Sequence, residues 1–231
     1  MEEACVVITE QKKYFWFENE EGPVFIKRNL TPSEYVHTCA GQLVIPYLCL
    51  ERMKNEVAAI RYVQSLDIHI PTPNIRCAFE DHGRYYIVTD IVPGVRLKEL
   101  PEDKKVPVIK ELEGYLAQMH TIKSKVMGGF LGDVIVPYRV GKAVPHDQIL
   151  KLREATTPEF VLCHNDLGQQ NVIVDEKTLK INAILDREYA GFYPPEFDRA
   201  FYIRPGPSVA LKGEENDVPK LLEMLEHWKM Y

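Results

Sequence analysis

The stretch Phe160-Val-Leu-Cys-His-Asn-Asp-Leu-Gly-Gln-Gln-Asn-Val-Ile-Val-Asp175 concentrates residues that could do chemistry in this 231-residue chain. An apolar run delivers His164, Asn165 and Asp166 into a loop containing Gly168, and a second apolar run begins beyond Asn171. Side chains at the rim of a packed hairpin are held by their neighbours, which suits reacting groups. The spacing is H-x-D-x-x-x-x-N. An aspartate so held can accept the proton of an attacking hydroxyl, and a neutral asparagine oxygen can ligate magnesium. A second carboxylate, Asp186, ends the next run in Ile184-Leu-Asp-Arg-Glu188. A hairpin would bring it beside Asn171, so the two could share one ion with phosphate oxygens and water as its other ligands.

Several elements must position these groups. Cys5 to Ile8, Tyr14 to Phe17 and Val24 to Ile26 are β-branched and aromatic runs separated by turn signals, which predicts an antiparallel meander. Thr31-Pro-Ser-Glu34 has the form of a helix start, with Thr31 as cap and Glu34 closing a capping box. From about Arg52 a helix follows, with Met53, Val57, Ile60 and Val63 on one face, ending before Pro71. Asn74 to Glu80 and Tyr85 to Asp90 read as a hairpin turning at Asp81-His-Gly83. Ile91-Val-Pro-Gly-Val95 is a connector, and it divides the chain into residues 1–92 and 93–231. Beyond it, Val108, Leu112, Leu116, Met119 and His120 share a face of a second long helix, and Gly128 to Pro145 reads as irregular. Asn171 to Val174 and Leu179 to Leu185 flank a charged turn, and a last helix runs through Leu221, Leu222 and Leu225.

His164-Asn-Asp166…Asn171, followed by Ile184-Leu-Asp186-Arg-Glu188-Tyr-Ala-Gly-Phe-Tyr-Pro-Pro-Glu-Phe-Asp198, resembles the aminoglycoside phosphotransferase and choline kinase family, its short fungal phosphotransferase-like members in particular. The resemblance runs from about Lys27 to Asp198 and is strongest after Phe160. It implies an α+β, protein-kinase-like fold of two lobes, a small β-rich N-lobe and a mainly helical C-lobe with ATP between them. It also implies Mg2+-dependent transfer of the ATP γ-phosphate to a hydroxyl of a small molecule. By position, Asp166 becomes the catalytic base, and Asn171 and Asp186 the magnesium ligands. Lys27 becomes the lysine that holds the α- and β-phosphates, with Glu56, in the first turn of its helix, as ion-pair partner. Thr89 to Val92, Ile91 among them, becomes the linker whose backbone receives adenine. Without the resemblance, Lys27 is a lysine ending a surface strand, and Glu56 a carboxylate favouring a helix N-terminus.

The chain departs from the family pattern in three ways. Arg187 follows Asp186 where a tryptophan is usual, and is read either as solvated or as a cation near the phosphates. The hairpin near Gln11-Lys-Lys13 has no glycine, and about thirty residues follow Asp198. These departures keep open an alternative: a catalytically inactive, kinase-like nucleotide-binding or scaffolding protein. A protein kinase fits poorly, since D-F-G and A-P-E are missing.

Composition narrows the partners. Thirty-four acidic against 28 basic residues give a net charge of -6, which argues against nucleic-acid binding. No apolar run approaches the ~20 residues of a membrane span, and the acidic first residues do not read as a signal peptide. Five cysteines without a C-x-x-C pair read as reduced thiols in a cytoplasmic protein, and the histidines lack metal-ligand spacing. The strip Glu188, Glu196, Asp198, Glu214 and Glu215 hints at a cationic acceptor. Oligomeric state is left open by the sequence.

Overall fold

The computed structural model describes residues 6–144 and 150–230; Cys5, Pro145, His146 and Tyr231 lie outside them. Five strands form the first sheet: β1 (Val7–Ile8), β2 (Lys12–Asn19), β3 (Gly22–Asn29), β4 (Ile75–Asp81) and β5 (Arg84–Asp90), in the order β1-β2-β3-β5-β4 and antiparallel throughout. Helix α1 (Cys49–Gln64) packs on one face of it, where Cys49, Met53 and Val57 meet Ile87. The apolar face read from the sequence is the buried one: Met53, Val57, Ile60 and Val63 are all at most 3% exposed.

Two expectations fail near α1. The predicted helix at Thr31 is a single 3-10 turn, Pro32–Glu34. Its Glu34 carboxylate does accept from Thr31 N at 2.9 Å, but it also takes Arg28 Nη2 at 2.7 Å and Lys13 Nζ at 2.8 Å. That carboxylate fastens the turn to the sheet, and the backbone leaves it extended at Tyr35. Helix α1 also begins three residues earlier than predicted, so Glu56 sits at its middle, away from the N-terminal dipole.

Beyond Asp90 the chain passes through Gly94, whose φ of +122° is left-handed and whose added Cβ would lie 2.4 Å from Val174 O. Two long helices dominate the rest of the chain, α2 (Glu102–Met119) and, after the short α3 (Tyr138–Gly141), α4 (Val218–Trp228). With them go two three-stranded sheets. One joins β6 (Val95–Arg96), β9 (Val172–Val174) and β10 (Ile181–Ile184) in the order β10-β9-β6; the other joins β7 (Lys123–Ser124), β8 (Phe160–Cys163) and β11 (Gly191–Tyr193) in the order β11-β8-β7. Val108, Leu112, Leu116 and Met119 of α2 pack against Leu162, Val172, Val174 and Ile184 in one core. Among the described residues no helix is long and apolar enough to cross a membrane.

Helix α1 is tied to the segment after β10 by polar bonds. Asn55, fully buried, donates to Glu188 O at 3.1 Å and Ala190 O at 2.8 Å, and its Oδ1 accepts Phe130 N at 2.7 Å. An Asn55→Leu protein loses three bonds and strands three buried backbone groups. We expect it to be less stable by about 3 kcal/mol in urea unfolding. A loss below about 1 kcal/mol would mean that other contacts carry this seam.

Candidate active site

Antiparallel pairing sets which sheet side chains face the loops. Tyr14 stands opposite Lys27, so the two project from the same face, and Lys12, two residues before Tyr14, joins them. On that face Lys27 is 8% exposed and forms a close ion pair with Glu56 of α1. Its ammonium also donates to Asp186 Oδ1 at 3.2 Å, bridging the sheet to the loop after β10. Burial works against charge on Lys27, but Glu56 and Asp186 outweigh it and hold the lysine protonated. Burial likewise opposes ionisation of Asp186, and here Lys27 and Lys12 win, keeping the carboxyl below the usual range.

Asp186 has φ 58° and ψ 55°, a left-handed corner that turns its side chain back towards the sheet. The hairpin of β9 and β10 meets Asn171 as expected: Leu185 N donates to Asn171 O at 2.7 Å. Asn171 Nδ2 donates to Asp166 O at 2.7 Å and to Asp166 Oδ2 at 3.3 Å. The amide nitrogen is thus committed to Asp166, and Oδ1 is left as an acceptor. Two bonded sets result, Glu56–Lys27–Asp186 and Asp166–Asn171, and the backbone bond from Leu185, the residue before Asp186, to Asn171 sets them side by side.

His164 and Asp198 hold the loop from behind. The His164 ring is fully buried; its Nε2–H donates to Leu185 O at 2.9 Å and its Nδ1 accepts Asp166 N at 3.3 Å. Burial, with Arg187 second, lowers it to about 4, so at neutral pH it is an uncharged brace. Asp198 accepts His164 N at 3.1 Å and Asn165 N at 2.8 Å, and pairs with His120 Nε2 at 3.2 Å. Asn165 itself is left-handed, at φ 70°.

Of the linker pair, Thr89 lies within β5 opposite Phe25, and Ile91 N reaches Pro23 O at 3.4 Å. The solvated reading of Arg187 gives way. Its side chain is fully buried with Nη1 3.8 Å from Met119 Sδ, while Nε and Nη2 have no hydrogen-bond partner among the described residues. Burial lowers its pKa to about 10, with Asp198 and Glu56 pulling the other way. The acidic strip also disperses. Glu188 is buried against Lys12 and Arg52, Asp198 is the loop brace, and Glu214 pairs with Arg204 at 2.5 Å. Sequence reasoning missed Lys12 and Arg52, whose only sequence signal was a basic residue at a core-facing step of a strand or helix.

Burial, and behind it the charge of Asp186, raises the Asp166 carboxyl to about 7. In metal-free protein a carbon-13 NMR titration should find its midpoint near that value, and Asp186→Asn should lower it. The folded pKa lies above the unfolded one, about 3.9. Asp166 thus favours the folded state most below that pH, and loses this contribution as pH rises through about 7. A wild-type midpoint below about 5 would contradict a buried Asp166–Asp186 pair.

The model of the phosphotransferase enzyme family (APH) matches residues 136–227, which include the Asp166 loop and Asp186. An aminoglycoside 3'-phosphotransferase of Streptomyces fradiae is 26% identical over 140 residues, 51% of this chain and 52% of the relative. The match thus spans about half the length of that curated relative. Among solved structures, aminoglycoside phosphotransferase APH(4)-Ia superposes with a TM-score of 0.57 at 16% identity, covering 84% of this chain and 69% of its own. APH(3'')-Id from Streptomyces rimosus gives 0.55 at 15% identity, covering 83% and 73%. The fold is that of these kinase-like enzymes, α+β, and the chain resembles the aminoglycoside phosphotransferases.

Proposed function

We propose that this chain is an ATP-dependent phosphotransferase that moves the γ-phosphate of ATP to a hydroxyl of a small molecule. The observation that carries the reading is Lys27, held by Glu56 on one side and bonded to Asp186 on the other, with Asp166 and Asn171 bonded to each other beside it. The named relatives agree with it. APH(4)-Ia has been solved in a ternary complex with AMP-PNP and hygromycin B, a nucleotide analogue beside a small-molecule ligand. In this reading the N-lobe is residues 1–92, the C-lobe 93–231, and Thr89 and Ile91 border the adenine. Exposed Trp16 and Phe25, opposite each other on the Lys27 face, offer an apolar surface for a base.

The donor set suits magnesium. Asn171 Oδ1 and the ionised Asp186 carboxylate are hard oxygens, one neutral and one charged, the small protein share that this ion takes beside phosphates. When bound, the ion would supply charge neutralisation on the transferred phosphoryl group. The chain's own residues do the rest. Lys27 binds phosphate oxygens, and Glu56 keeps its ammonium in position. Asp166 orients the acceptor hydroxyl and takes its proton as the new O–P bond forms and the bond to ADP breaks. The raised carboxyl of Asp166 suits a group that must receive a proton near neutral pH.

Asp166→Ala should lower turnover by about 10²–10⁴ while ATP binding persists. Asp186→Ala should abolish magnesium-dependent binding in calorimetric titration. Unchanged ATP consumption in the Asp166 variant would sink the proposal. Wild-type protein that binds no ATP with or without magnesium would favour the scaffolding alternative.

A further inference from the structure

The turn before β2 does not serve as a glycine-rich phosphate cradle. Three of its amides are already engaged: Thr9 N donates to Lys12 O at 2.9 Å, and Thr9 Oγ1 accepts Lys12 N at 3.0 Å and Gln11 N at 3.3 Å. Beside the turn lies a cavity of about 410 Å³, bordered by Thr9, Lys12, Tyr14, Asp186 and Glu188 among others. Lys12 is 3% exposed, yet its ammonium, which carries three donors, has one hydrogen-bond acceptor among the described residues, Glu188 Oε2 at 2.5 Å. Burying an ammonium with unfilled donors is unfavourable unless something completes them.

Glu188 does not depend on that lysine. Its other oxygen accepts Arg52 Nη1 at 3.1 Å, and Arg52 is further held by Tyr189 Oη at 2.6 Å, Tyr47 O at 2.9 Å and Gln11 Oε1 at 2.5 Å. If Lys12 turns away, the carboxylate keeps a buried cation. Lys12 also shares the sheet face of Lys27, and both reach carboxylates of the one loop, Asp186 and Glu188. An anion entering the cavity between Lys12 and Asp186 thus meets a lysine with vacant donors on a flexible stem.

We propose that Lys12 is a second phosphate ligand, which bonds the β- and γ-phosphate oxygens of the nucleotide with side-chain donors where a glycine-rich turn would use backbone ones. The inference rests on the nucleotide reading above. It assigns a phosphate contact to a residue outside the Asp166, Asn171, Asp186 and Lys27 set. It also makes Glu188 the resting partner of Lys12 and Arg52 the permanent partner of Glu188.

The test compares a nucleotide that has these phosphates with one that lacks them. ATP and AMP are titrated, with magnesium, into wild-type and Lys12→Met proteins. Lys12→Met should weaken ATP at least about tenfold and AMP less than about twofold, while Lys12→Arg recovers part of the ATP affinity. As a check that needs no folded variant, nitrogen-15 NMR of the wild-type lysine ammonium groups should shift Lys12 with ATP and leave it unmoved with AMP. Wild-type protein that binds ATP, but whose Lys12 signal stays put or whose Lys12→Met variant weakens both nucleotides alike, overturns the assignment and leaves the nucleotide reading standing. Wild-type protein that binds no ATP overturns both.

Discussion

One buried lysine, Lys27, joins the halves of the site, because it is bonded both to Glu56 of α1 and to Asp186 of the loop after β10. Removing an ion from water costs several kcal/mol, a few kcal/mol of attraction at contact distance offset it, and so a buried pair contributes little net stability. Its effect is positional. With one carboxylate on the helix and one on the loop, Lys27 cannot move without leaving a charge unpaired, and neither carboxylate can drift from the other. The sheet, α1 and the Asp186 corner are thereby set to one geometry before any ligand enters.

The same logic repeats in the preceding turn of α1. Arg52 and Asn55 bond directly to the loop, at Glu188 and Ala190, while Glu56 reaches it at Asp186 through Lys27. Apolar packing around Met53 and Val57 holds the helix on the sheet, and these polar groups then fix its register against the loop. Non-directional burial supplies adhesion and the hydrogen bonds supply alignment.

Much of this was legible in the sequence wherever a periodicity or a spacing encoded it. The apolar faces of α1 and α2 were readable because a helix repeats every 3.6 residues, and the hairpin that brings Asp186 to Asn171 because two apolar runs flank a polar turn. The features that escaped depend on partners distant in the chain. Lys12 meets Glu188 across 176 residues, and nothing local marks a lysine as buried. Thr31-Pro-Ser-Glu34 carries a sound start signal, yet Glu34 is drawn to Arg28 and Lys13 on the sheet and the helix never extends. Arg187, for which a solvated side chain was one of two readings, is buried against Met119, a placement set by three-dimensional packing.

The left-handed corner at Asp186 restricts which residues that position accepts. That backbone shape disfavours most side chains by roughly 1–2 kcal/mol, aspartate and asparagine less than the others, and glycine is free of the penalty. Glycine there would relieve the backbone but also remove a carboxylate that pairs with buried Lys27, so backbone shape and ion pair pull this position in opposite directions. Asparagine, which tolerates the same corner, would keep the backbone shape and lose only the charge, and so separates the two demands.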